Sequence, residues 1–253
     1  MTLDDRGIGQ SATPTPRGYR MDDLDWARGD LAATADAHAP PQRPLLMVGR
    51  SFGGRAFGLL PNHDRVASFC TCATGAGWHG WMPRAERLRV LMLWHVAGPL
   101  LTRATGDLAW RRPGLGEDLP LDVYRPWRHG CRFPRYVFDD PAMAAVPEAF
   151  ARVRTPIVAA NALDDRWAPP RSRDAFMAAY RGADWTPVDV DPTAGLEPIG
   201  HMGYLRPAAS ALWDAALAGL EHPSGSRRAT AAHSQHADVR GPVMRRCRGR
   251  TGS

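Results

Sequence analysis

The apolar run Pro44-Leu45-Leu46-Met47-Val48-Gly49 passes directly into Arg50-Ser51-Phe52-Gly53, and this junction constrains the fold more than any other stretch. A short unbroken apolar run suits a strand buried on both faces of a parallel sheet. The Gly-x-Ser-x-Gly spacing suits a sharp turn from that strand into a helix, because glycine lets two stretches of backbone approach closely. Residues 52–60 can continue as a helix, although their glycines make it a poor one by propensity.

Three further runs read as buried strands: 66–74 (VASFCTCAT), 156–163 (PIVAANAL) and 186–190 (TPVDV). Helical spacing predicts a helix over 20–38, with Leu24, Ala27, Leu31 and Ala35 on one face, and others over about 171–181 and 207–221. Residues 2–11 read as the end of a strand entering a Gly-rich loop. Strand and helix in alternation predict an α/β fold, a mostly parallel sheet with flanking helices.

Between the second and third of these strands lies a long excursion, 76–150, holding Trp78, Trp81, Trp94, Trp110 and Trp127. It reads equally as a helical cap over a pocket or as the ordinary packing of a large insertion. The expected organisation is a core from 1–75 and 151–223, a cap at 76–150, and a tail at 224–253. That tail has no hydrophobic period and is expected to be disordered.

The net charge of +6 belongs to the tail. The chain has no Lys, and residues 224–253 carry seven Arg against one Asp; the remaining 223 residues balance 25 Arg with 25 acids. The body therefore has no overall attraction to polyanions, and no nucleic-acid partner is expected for it. The tail reads as a non-adaptive extension ahead of a basic arm for nucleic acid or acidic membrane. No run of about 18 apolar residues predicts a membrane span, and the first ten residues lack the apolar core of a secretory signal. With Met1 as the start, the cytoplasm is the expected compartment. Cys70, Cys72, Cys131 and Cys247 form no paired Cys-x-x-Cys set, so buried free thiols are expected rather than a zinc site.

A serine nucleophile needs a base, and the base needs a carboxylate to orient it. Asp164 and Asp165 follow the 156–163 strand, and His201 stands in a Gly-flanked loop (PIGHMGYLRP) after the last strand. Serine, aspartate and histidine thus occur in order, each past the C-terminal end of a strand, where parallel α/β sheets place their sites. The remaining histidines show no helical metal-ligand spacing, and no metal or other cofactor is expected.

These stretches, with DDRGIGQS (4–11), TGAGWHGWMP (74–83) and FPRYVFDDP (133–141), resemble the α/β-hydrolase superfamily, specifically a bacterial group of serine hydrolases within it. The resemblance runs from about residue 2 to 221 in the family's order. It implies Ser51 as nucleophile, His201 as general base and the Phe52 amide as an oxyanion-hole donor. Asp165 is preferred to Asp164 as the acid because Pro169 follows it at the family's spacing. Arg50 replaces the family's usual histidine at a variable position. The implied activity is hydrolysis of an ester, thioester or related acyl bond in a small molecule. The family normally has three strands before the Asp4–Ser11 loop. The chain is therefore expected to be N-terminally truncated, lacking a neighbour for the segment near Leu46 and the usual second oxyanion donor. The alternative expectation is a catalytically impaired remnant with a binding role or none.

Overall fold

A computed structural model describes residues 2–12, 22–38, 43–108, 110, 118–194, 197–210, 212–213 and 244–246. A helical run opens with α1 (Asp23–Asp25), widens into a π-helical segment (Trp26–Leu31) and ends in α2 (Ala32–His38). Asp22 caps it, accepting the Asp25 N–H while the Asp25 carboxylate accepts the Asp22 N–H, so two otherwise orphaned amides are satisfied reciprocally. No strand forms at residues 2–5. That segment enters a loop that Arg6 fastens to the helical run through its bidentate pair with Asp30.

Next come β1 (Leu45–Arg50), α3 (Phe52–Ala56) and β2 (Val66–Cys72). The excursion contributes α4 (Arg84–Met92), a π-helical turn (Leu93–Ala97) and α5 (Gly98–Thr105) as a helical insertion. It continues through the small antiparallel pair β3 (Asp107–Leu108) and β4 (Leu119–Pro120), then α6 (Leu121–Gly130) and α7 (Val146–Arg152). Finally β5 (Ile157–Ala162), α8 (Pro170–Met177) and β6 (Trp185–Val190) return to the main sheet. The helix expected over 207–221 falls mostly outside the described residues.

The main sheet has the order β1-β2-β5-β6-β7, and its first four strands run parallel. The outer strand β7 (Met244–Arg246) is antiparallel to β6. Those three residues are the part of the Arg-rich tail that is described. They pair with the sheet; the disorder expected of the tail otherwise concerns residues outside the described ones, as does the rest of 214–253.

Burial follows strand position. β2 and β5 are apolar and almost wholly buried, as continuous apolar runs in a two-sided parallel sheet should be. β1 alternates instead: Leu46 is 39% and Val48 42% exposed, because among the described residues β1 pairs only with β2. The core lies between the central strands and α7 and α8. There Phe57 stacks on Phe69 with ring centroids 4.0 Å apart, and Phe150 meets Phe176 edge-on. The three described cysteines are buried free thiols.

Candidate active site

The turn after β1 forces Ser51 to φ 51° and ψ −106°, a strained region for a residue with a Cβ. Four hydrogen bonds hold it there. The Ser51 N–H donates to the Cys72 carbonyl at 2.9 Å, while its own carbonyl accepts the N–H groups of Gly54 and Arg55, each at 3.2 Å. That carbonyl also accepts the Thr74 hydroxyl at 3.1 Å. Gly49 is required by close approach: a Cβ there would lie 2.6 Å from the Gly53 carbonyl carbon. The strained serine is thus registered against the end of β2 as well as the end of β1.

The Ser51 hydroxyl faces His201 Nε2 at 3.1 Å. On the other side of the ring, Nδ1 lies 3.1 and 3.2 Å from the two carboxylate oxygens of Asp165. With the ring proton on Nδ1, Asp165 accepts it and Nε2 is left to accept from Ser51. Asp165 has no solvent exposure. Its Oδ1 accepts the N–H groups of Trp167 and Ala168, both at 2.9 Å, and its Oδ2 accepts the Tyr204 hydroxyl at 3.3 Å. Tyr204 in turn accepts the Ala162 N–H at 2.6 Å, so the carboxylate is fixed in place before it meets the histidine.

The neighbouring Asp164 turns the other way and accepts the amides of Ile199 and Gly200, at 2.9 and 3.0 Å. Asp165 orients the imidazole, and Asp164 clamps the loop that carries it. Asn161, wholly buried in β5, ties these parts together by donating to the carbonyls of Thr74 at 3.0 Å and Ala168 at 2.7 Å. Sequence reasoning did not find the roles of Asn161, Asp164 or Tyr204. One signal was present: an asparagine inside an apolar strand is costly unless bonded.

Ser51, His201, Phe52 and Trp167 line a chamber of about 260 Å³. Trp127 and Trp110 from the excursion form its far side, with Trp127 stacked on Trp167 at 6.5 Å. Glu86 of α4 accepts the Trp167 indole N–H at 2.8 Å, fastening the insertion to the loop of Asp165. Trp110 and Trp127 of the excursion thus line the chamber, whereas its Trp94 is buried. A second chamber of about 430 Å³ shares with the first a wall formed by Asp23, Phe52 and Arg55. Burial, with the nearby Asp22 charge, pushes the Asp23 carboxyl up to about 6, against the opposing pull of its own backbone amide, the Tyr136 hydroxyl and Arg55.

Sheet order, helical insertion and a Ser51–His201–Asp165 network at the strand ends together define an α/β-hydrolase fold with an atypical N-terminal part, in which no strand precedes β1 among the described residues. Solved structures of that architecture superimpose over most of the chain. One is BpoC of Mycobacterium tuberculosis H37Rv, described as a non-heme bromoperoxidase: TM-score 0.51, 17% identity, covering 87% of this chain and 81% of that one. DcsB, solved with its substrate analogue, matches at TM-score 0.51 and 14% identity over 87% of this chain and 79% of its own. The monoacylglycerol lipase of Paleococcus ferrophilus matches at 0.50 and 14%, over 86% and 80%. No family model matches the chain, and no curated protein does. Among the described residues, no helix is long and apolar enough to cross a membrane.

Proposed function

We propose that this protein is a serine hydrolase that cleaves an ester, thioester or related acyl bond of a small molecule. The observation that carries this reading is the unbroken chain of contacts from Ser51 Oγ through His201 to a fully buried Asp165. Ser51 Oγ attacks the acyl carbonyl as its proton passes to His201 Nε2, and Asp165 stabilises the imidazolium. The negative charge on the carbonyl oxygen is met by the Phe52 amide, which as the first residue of α3 has no intrahelical acceptor. Collapse expels the alcohol or thiol, which takes the proton from His201. Water, activated by the same histidine, then releases the acid and restores Ser51.

The Trp-lined chamber supports an apolar acyl or aromatic group as part of the substrate. A fluorophosphonate probe tests the reading: it should label the protein at Ser51, and labelling that persists in Ser51→Ala would remove the assignment. The exposed Leu46 and Val48 of β1 favour a second reading, a non-catalytic scaffold that uses the same fold for binding. A folded, monomeric chain that resists the probe and turns over no ester would establish it.

A further inference from the structure

Arg55 lies in α3, four residues after Ser51, and lines the same chamber. Its guanidinium forms part of the wall shared by the two chambers. Nε donates to the Gly75 carbonyl at 2.9 Å, which sets the plane of the group, and the Tyr136 ring lies beneath it, 4.7 Å from centroid to Cζ. Neither contact neutralises a charge. The salt bridges among the described residues engage other arginines and histidines, so Arg55 has no carboxylate at ion-pairing distance there.

Asp23 and Asp140 are the acids that line these chambers, and neither lies at ion-pairing distance from Arg55. Asp140 is committed to His129 Nε2 at 2.9 Å and to the Ala142 amide at 2.9 Å. Asp23 is nearly buried, and Arg55 acts on its carboxyl from beyond contact distance, opposing the rise that burial causes. Arg125 adds a further positive charge to the second chamber. Around them the surfaces are apolar: Trp26, Met82, Val123 and Trp127 in the first chamber, Leu59 and Phe150 in the second. A guanidinium in such surroundings is a strong site for a planar anion, because its paired N–H donors match a carboxylate and little water competes for them.

We propose that Arg55 anchors a free carboxylate carried by the substrate, several bonds away from the acyl group that Ser51 attacks. The substrate class is then an ester or thioester bearing a remote carboxylate, such as a half-ester of a dicarboxylic acid. This proposal rests on Ser51 as the nucleophile of the first chamber.

The test is binding to the Ser51→Ala protein, followed by tryptophan fluorescence, with monomethyl glutarate and dimethyl glutarate as the paired probes. The half-ester should bind at least about tenfold more tightly than the neutral diester, a difference on the scale of one charge-assisted contact. Arg55→Met in the same background should erase that preference, and Arg55→Lys should retain part of it. Equal affinity for the two esters, no binding of the half-ester, or a preference unchanged in folded Arg55→Met protein overturns the proposal. Where Arg55→Met does not fold, Arg55→Lys carries the comparison, because Arg50 also lines the first chamber as a rival cation; a preference unchanged in Arg55→Lys then overturns the proposal. Probe labelling of wild-type protein reports separately on the nucleophile: a half-ester preference without labelling removes the hydrolase reading and leaves the anion subsite, while the converse removes the subsite alone.

Discussion

The carboxylate of Asp164 accepts the Gly200 N–H at 3.0 Å, so the residue before Asp165 holds the residue before His201. Two adjacent aspartates thus divide the work of a single histidine. Asp165→Asn should cost about 10⁴ in kcat, because the amide no longer enforces the productive tautomer. Asp164→Asn keeps an acceptor for one of its two amides and should cost only about tenfold, through looser placement of the ring. Steady-state rates on a 4-nitrophenyl ester check the ranking, and a larger loss for Asp164→Asn would exchange the two roles.

The glycines at either end of the Gly-x-Ser-x-Gly stretch are not equivalent. A Cβ at Gly49 would meet the Gly53 carbonyl carbon at 2.6 Å, whereas a Cβ at Gly53 would meet nothing within 4 Å. Gly49→Ala should therefore destabilise the fold by about 1–3 kcal/mol or more, since backbone must move. Gly53→Ala should be neutral or stabilising by up to about 1 kcal/mol through helix propensity. Urea unfolding of both variants measures the contrast, and equal losses would contradict it.

Tyr204 joins Asp165 to β5 with one hydroxyl. Tyr204→Phe leaves the Ala162 amide without its partner in a buried setting, at a cost of about 1–3 kcal/mol. It also takes one donor from Asp165. Thermal unfolding should show a lower midpoint, accompanied by a reduced kcat. A variant as stable as the parent would mean that the Ala162 amide finds another acceptor.

Asp23 makes stability depend on pH. Its folded carboxyl titrates near 6 because of burial, against 3.8 ordinarily. Below about 3.8 both folded and unfolded chains hold the proton, and no penalty arises. Between those values the unfolded chain loses its proton first, so stability falls as pH rises, and above about 6 the penalty is complete at roughly 2–3 kcal/mol. Asp23→Asn, which stays neutral throughout, should match the parent near pH 4 and exceed it by about that amount at pH 7. A stability gain that does not vary with pH would locate the effect elsewhere.

What could be read before the structure was the part governed by local rules. Apolar runs end at strand boundaries, and Ser51, Asp165 and His201 fall beyond those ends, so sheet and site were legible together. The less legible residues act over distance. Asp164 bonds a loop 35 residues away, and Asn161 reaches a carbonyl 87 residues earlier; no periodicity encodes either pairing. The excursion was ambiguous for a related reason. Whether a tryptophan lines a chamber, as Trp127 does, or fills a core, as Trp94 does, depends on which surface the insertion meets. The three-residue strand β7 pairs with β6 from a stretch that carries no hydrophobic period.

The position of Ser51 at the end of β1 has a mechanical consequence. Among the described residues β1 is braced on one flank, so its own stiffness cannot set the nucleophile to a fraction of an ångström. The Cys72 carbonyl and the Thr74 hydroxyl, both belonging to the fully buried neighbour and its exit loop, make the fixing contacts. Asn161 bolts that same loop to the support of Asp165. Serine and aspartate therefore share one anchorage in the sheet interior, and fraying of β1 can proceed some way before the two lose alignment.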